Sequence, residues 1–165
     1  MNDVNRAVAS RVRRRAAQSS DGYSLLQIVI TFAVVSILVS TALPTTMNAL
    51  RNYRLIAAVS AATGAISATR YQAIMHAYPY NITFNSSNAT YQVASEAPPA
   101  TSFTNVGTAV PLAGNGDVTI NTTTTLQFNA NGTVSATTGT LSFTITNGLL
   151  TKTISVTGIG DVTSN

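Results

Sequence analysis

The stretch Asp21-Gly22-Tyr23-Ser24-Leu25-Leu26-Gln27-Ile28-Val29-Ile30, which runs on as TFAVVSILVSTAL to Leu43, decides the fold of this chain. No residue from Tyr23 to Leu50 carries a charge, and the apolar centre from Leu25 to Leu43 is 19 residues long. A helix of about 20 apolar residues matches the hydrocarbon thickness of a bilayer. Before it lies a polar segment, residues 1–22, with the basic run RVRRR at 11–15. Arginines beside a membrane span stay in the cytoplasm, which sends the rest of the chain to the far side. A secretory signal peptide fits less well, because its apolar core is normally about 7–15 residues and a small-residue cleavage site follows. Here PTTMNALRNYRL follows Leu43 and reads as more helix. A plain membrane anchor and a buried core helix are the other readings of the pattern, and the basic flank argues against the buried helix.

Composition narrows the function classes. Of 165 residues only 8% are charged, against about 25% in a typical soluble protein, while 45% are hydrophobic. Cysteine and tryptophan are absent and His76 is the single histidine. A disulfide-stapled fold, a thiol nucleophile and a cysteine zinc site are excluded. A histidine metal cluster or catalytic triad has almost no material. The expectation is a protein with no catalytic residue, no metal and no cofactor. The net charge of +4 invites a nucleic-acid reading, but five basic and two acidic residues fall within 1–22, and only four basic and three acidic residues follow. The basicity belongs to the N-terminus.

The Asp21–Ile30 stretch resembles the cleavage region of type IV prepilins and type II secretion pseudopilins. In that family a short basic leader ends in glycine, followed by an aromatic or apolar residue, a small polar residue, two apolar residues, usually a glutamate, and a long apolar helix. The resemblance implies a prepilin peptidase cut between Gly22 and Tyr23 and N-methylation of Tyr23. Gln27 stands where the family has its assembly glutamate, and Pro44, the twenty-second residue after Gly22, stands where many pilins carry a helix-kinking proline. Proline removes a helical hydrogen bond and clashes with the preceding turn, so a bend is expected at Pro44. Ser36, Ser40, Thr41, Thr45 and Thr46 permit close helix approach and can bond back to the backbone.

Beyond Pro44 no strong stop precedes Tyr78. Ile56, Val59, Thr63, Ile66, Arg70 and Ala73 recur at threes and fours, with Leu55, Ala62 and Ile74 near the stripe. That spacing predicts an amphipathic helix, ended by Pro79, for a single helix over about residues 24–77. The segment SATRYQAIMHAYPYNITF, Ser67 to Phe84, is similar to the end of the long helix in GspH/FimT-type minor pilins and pseudopilins. Arg70, Ala73 and Pro79 fit that pattern. Gln72 stands where glutamate is common and Ala77 where glycine is common. Arg70 reads equally as a solvated helix residue or as a packing residue.

After Tyr80 the chain turns rich in Thr, Asn, Ser, Val and Ile, which favours strands. Strands are expected at Tyr80–Phe84, Thr90–Ala94, Val118–Asn121, Thr124–Asn129, Thr133–Ala136, Thr140–Thr146 and Leu150–Thr157. Asn131-Gly132 and Asn147-Gly148 lie between strand candidates and predict two-residue hairpin turns with positive φ at both residues, in succession an antiparallel meander. Residues 95–116, with Pro98, Pro99 and Pro111, read as a long surface loop partly pinned by Phe103, Val106 and Val110. The ending Gly148–Val162 again resembles the GspH/FimT family, whose last strands end in a Gly-rich turn that often carries a basic residue. Here the turn Gly158-Ile159-Gly160-Asp161-Val162 has none.

Other candidate sites read as ordinary structure. Gly114-Asn115-Gly116-Asp117 lacks the helix and the lysine of a phosphate loop and reads as a turn. Asp117 and Asp161 are isolated, and a calcium site needs several oxygens together. Glycosylation triplets such as Asn81-Ile82-Thr83 and Asn88-Ala89-Thr90 are expected by chance in a chain so rich in Asn and Thr. The reading is an α+β pilin-like fold, with a long N-terminal helix packed on a small C-terminal antiparallel β-sheet domain. Residues 1–22 are the cleaved leader, 23–47 the membrane and filament-core half-helix, and 48–165 the periplasmic or surface globular domain. The resemblance implies a structural, minor subunit of a type IV pilus or type II secretion pseudopilus in the bacterial inner membrane. Its partners would be other pilin or pseudopilin subunits, the prepilin peptidase, the inner-membrane assembly platform and membrane lipid. Nucleic acid is disfavoured as a partner. The alternatives are a DNA-binding minor pilin and a membrane-anchored adhesion module that never polymerises.

Overall fold

The computed structural model describes residues 24–114 and 118–165, except for the side chains of Thr41 and Pro44. The chain divides into two compact units, Met1–Thr45 and Thr46–Asn165. One helix, α1, spans Leu25–His76, and its assignment runs through Pro44 without a break. In the first unit the described apolar side chains of α1 are all exposed, among them Leu25, Ile30, Phe32, Ile37 and Leu38.

Among the described residues of the second unit, the distal part of α1 is followed by nine strands. They are β1 Tyr80–Asn85, β2 Thr90–Ser95, β3 Thr104–Pro111, β4 Thr119–Ile120, β5 Thr124–Phe128, β6 Val134–Thr138, β7 Ser142–Thr146, β8 Thr151–Val156 and β9 Val162–Ser164. They form two antiparallel sheets, a five-stranded one ordered β3-β2-β1-β5-β6 and a four-stranded one ordered β4-β7-β8-β9. The two expected hairpins form, β5–β6 and β7–β8, but they fall in different sheets and make no single meander. Alternation sets the buried faces, with Tyr80, Ile82, Phe84, Leu126 and Phe128 inward from the first sheet and Phe143, Ile145, Ile154 and Val156 from the second. Phe84 and Phe143 meet with ring centroids 4.7 Å apart, one contact that ties the two inner faces together.

The helix stripe agrees with the expected one at Leu55, Val59, Ala62, Ile66 and Ala73 and differs at its margins. The buried positions are Leu55, Ala58, Val59, Ala62, Ile66, Thr69 and Ala73, whereas Ile56 and Ile74 are exposed and Thr63 and Arg70 lie half-buried at the margin. Small residues supply much of the contact face because they let the helix backbone approach closely. The helix ends at His76, and Ala77 takes a positive φ of 56°. That is the left-handed residue which closes many helices and is usually glycine.

Residues 95–116 are not all loop. They contain β3, an edge strand whose eight residues are all exposed and which, among the described strands, pairs only with β2. With neither face buried, the strand shows no alternation. Val106 and Val110 are exposed rather than pinned, and the anchor is Leu112, buried and bonded from its N–H to the Ala89 carbonyl at 3.0 Å. The short β9 was also unexpected. In the two Asn-Gly turns only the glycines have positive φ, Gly132 at 80° and Gly148 at 84°. The asparagines instead use their side chains: Asn131 Oδ1 accepts from Thr133 N–H, and Asn147 Oδ1 from Leu149 and Leu150 N–H.

Candidate assembly helix and the Arg70 junction

The proximal part of α1 is an apolar rod in which several hydroxyls are bonded back onto its own backbone. Ser36 Oγ donates to the Phe32 carbonyl at 2.7 Å, Ser40 Oγ to Ile37 at 2.8 Å and Thr45 Oγ1 to Ala42 at 2.8 Å. Thr31 Oγ1 donates to the Gln27 carbonyl. An unbonded hydroxyl in hydrocarbon costs several kcal/mol, about 2–7 by reference state, so these bonds make the segment compatible with lipid or with the apolar flank of another helix. Ser24 stands immediately before the helix, and its carbonyl accepts from Gln27 N–H at 2.7 Å and Ile28 N–H at 3.3 Å. Ser-x-x-Gln at a helix start is the capping-box spacing. Gln27 itself is exposed on the first turn.

At the distal end, Arg70 joins three parts of the second unit. It leaves α1 half-buried, donates from Nε to the Gly132 carbonyl in the β5–β6 turn at 3.3 Å, and places Nη1 3.9 Å from Asp161 Oδ1 in the β8–β9 turn. The two turns are themselves tied by Val134 N–H to the Gly158 carbonyl at 3.0 Å. Gly160 has φ +87°, and a β-carbon there would lie 2.6 Å from Arg70 Nε and 2.7 Å from its Cδ. The arginine therefore passes over a backbone that has no side chain to obstruct it. Thr157 closes the β8–β9 turn, accepting from Gly160 N–H at its carbonyl and from Asp161 N–H at its hydroxyl.

Just beyond the helix end His76, Tyr78 and Tyr80 stack, with ring centroids 5.3–5.9 Å apart. His76 is exposed and Tyr80 buried. Burial pushes the Tyr80 phenol up to about 12, helped by its contact with the Tyr78 hydroxyl at 3.2 Å. Among the described residues no group of three His, Asp or Glu side chains converges on a point that could hold a metal ion.

Residues 58–160 match the family described as type II transport protein GspH. This range takes in the buried stripe of α1 from Ala58 onward, both Asn-Gly hairpins and Gly160, and covers more than half of the chain. The chain belongs to this family. No curated protein and no solved structure matches it. Membership makes it a pseudopilin subunit of type II secretion, and its long apolar helix fits a membrane-anchored member, α1 being the one described helix long and apolar enough to cross a bilayer.

Of the residues singled out in the sequence, Gly22 and Tyr23 lie outside the described residues, as do Asn115, Gly116 and Asp117. Pro44 lies within α1, its side chain not described. Gln27 lies on the first helical turn. Arg70 is half-buried and bonded to the Gly132 carbonyl. Its partners Gly132, Gly160 and Asp161 were read in sequence as separate turns and not as one junction. The pointer available in the sequence was a pair of turn glycines on a chain whose distal helix holds a lone arginine after Arg54.

Proposed function

We propose that this protein is a minor, non-enzymatic pseudopilus subunit. It is cut by the prepilin peptidase between Gly22 and Tyr23, N-methylated at Tyr23, held in the inner membrane with leader inside and domain in the periplasm, and assembled through α1 with other pseudopilins at the inner-membrane platform. The observation that carries the reading is the proximal half of α1: uncharged from Tyr23 to Leu50, exposed along its length, with hydroxyls bonded back to its own carbonyls. Such a surface is unfavourable in water and suits a bilayer or a bundle of like helices. Pro44 supplies the point where the helix can bend between these two environments.

Gln27 bears on position in the filament. The family's glutamate is thought to pair with the N-terminal amine of a neighbour, and a charge left unpaired in an apolar core is costly. Gln27 accepts a hydrogen bond but cannot neutralise an amine. That suits a rare position, at a tip or in an initiating complex, where one neighbour is missing. The test is the intact mass of protein from membranes and sheared filaments, with a subunit count. The mature chain should begin with methylated Tyr23, and substitution of Gly22 by a bulky residue should block the cut. Retention of residues 1–22 in assembled material, or a count placing this chain as the most abundant subunit, would overturn the proposal. An adhesion module that never polymerises would be indifferent to loss of the peptidase. Nucleic-acid capture has little to act through, since the β8–β9 turn carries no Lys or Arg and Arg70 is engaged with Gly132 and Asp161.

A further inference from the structure

The β7–β8 turn contains an asparagine whose surroundings resemble those of a reacting amide. Asn147 Oδ1 accepts from two backbone N–H groups, Leu149 at 3.0 Å and Leu150 at 2.8 Å. Its Nδ2 is buried and, among the described residues, has no hydrogen-bond partner. The next residue, Gly148, is exposed, with no atom of the described residues within 4 Å of a β-carbon position, and its N–H donates to Thr146 Oγ1 at 3.1 Å. The Thr146 hydroxyl spends its own proton on the Leu150 carbonyl at 2.9 Å, so a lone pair faces the Gly148 N–H. Paired donors on a carbonyl oxygen stabilise the oxyanion that forms when a nucleophile adds to its carbon. An unsatisfied buried donor is a destabilised ground state. An acceptor on the attacking N–H polarises it.

We propose that Asn147-Gly148 is a self-modification site, a turn that promotes its own deamidation. Gly148 N gives its proton to solvent base and attacks Asn147 Cγ, forming the N–Cγ bond. The negative charge rests on Oδ1 beneath the Leu149 and Leu150 N–H groups. Collapse breaks Cγ–Nδ2, and the nitrogen leaves as ammonia with a proton from water. Water then opens the resulting succinimide at one of its two C–N bonds, giving aspartate or isoaspartate at position 147. The sum is one water consumed and one ammonia released. With aspartate, the unpartnered donor is replaced by an oxygen, and the two N–H groups gain a charged acceptor, a stronger bond. The hairpin tip, which already exposes Leu149 and Leu150, acquires a negative charge.

The second Asn-Gly pair is an internal reference. At Asn131 the side-chain oxygen is also held, by Thr133 N–H at 3.1 Å and Thr133 Oγ1 at 2.6 Å. But Gly132, unlike Gly148, is buried under Ile74 and Arg70. Its nitrogen cannot rotate toward the side chain without opening that packing.

The test is to hold the full chain in detergent at mildly alkaline pH and to follow both peptides by mass spectrometry, with enzymatic detection of isoaspartate. A parallel sample is kept unfolded in guanidinium chloride. Conversion at Asn147 should run about tenfold faster folded than unfolded, a fraction of the roughly 10²–10³ that one oriented donor supplies in an enzyme, while Asn131 should be slower folded than unfolded. Thr146→Val should slow the folded rate at Asn147 and leave the unfolded rate unchanged. A folded rate at Asn147 equal to or below the unfolded one would overturn the proposal, as would equal rates at the two asparagines in the folded chain. Insensitivity to Thr146→Val would remove the role given to its hydroxyl.

Discussion

Replacing Gly160 by alanine tests the junction that joins the distal helix to the two turns. The added β-carbon would stand 2.6 Å from Arg70 Nε, 2.7 Å from its Cδ and 3.1 Å from its Cζ. Two costs follow. An L-residue held at φ +87° is strained by about 1–2 kcal/mol. The arginine must also move, which breaks the Nε bond to the Gly132 carbonyl and costs about 0.5–1.5 kcal/mol. The Arg70–Asp161 pair at 3.9 Å adds little, because Asp161 is 65% exposed and such pairs contribute about 0–1 kcal/mol. The expected loss is about 2–3 kcal/mol, the sum of strain and the lost bond.

The assay is urea denaturation of the chain in detergent, read by far-ultraviolet circular dichroism. Arg70→Ala alone should cost only about 1 kcal/mol, the value of its one good bond and some packing. The double variant separates clash from strain. If the alanine at 160 acts by striking Arg70, the two costs overlap and the double variant loses less than their sum, by about 1 kcal/mol. Additive costs would mean that the arginine does not pass over Gly160, and the account of the junction would be wrong.

Three further outcomes are expected. Ala77→Gly should stabilise the fold by about 1 kcal/mol in the same assay, since glycine takes the φ of 56° without the penalty an alanine bears there. Phe143→Ala should cost about 3–5 kcal/mol, the ring being 1% exposed and packed on Phe84; a loss under half of that would mean that the two sheets do not share this contact. Stability should fall as pH rises from 10 to about 12, because Tyr80 ionises freely in the unfolded chain and is held protonated by burial in the folded one. The fall should be at most about 3 kcal/mol at roughly 1.4 kcal/mol per unit, and Tyr80→Phe should reduce it.

How much of this was legible in the sequence depends on whether one element or two decide the outcome. The apolar run Leu25–Leu43, the stop before Pro79 and the alternation in β7 are each set by local chemistry, and all three lie where they were expected. The helix stripe is legible through Val59, Ile66 and Ala73, with Leu55 and Ala62 beside them, but its edges are not: Ile56 and Ile74 point outward, and Ala58 and Thr69 bring the backbone close. β3 left no signal at all: an edge strand with both faces exposed obeys no burial pattern, and only its pairing with β2 identifies it. The turns were found and their backbone was not, since Asn131 and Asn147 bond through their side chains and leave positive φ to the glycines. The Arg70 junction lay furthest from sequence reasoning. It joins positions 70, 132 and 160, and each alone reads as a helix residue or a turn glycine. Membership in the pseudopilin family depends on that distal region, residues 58–160, whereas the proposal that the chain enters a filament depends on the proximal helix. The two regions therefore fail separately: a destabilised junction would leave processing at Gly22 intact, and a blocked cut would leave the domain folded.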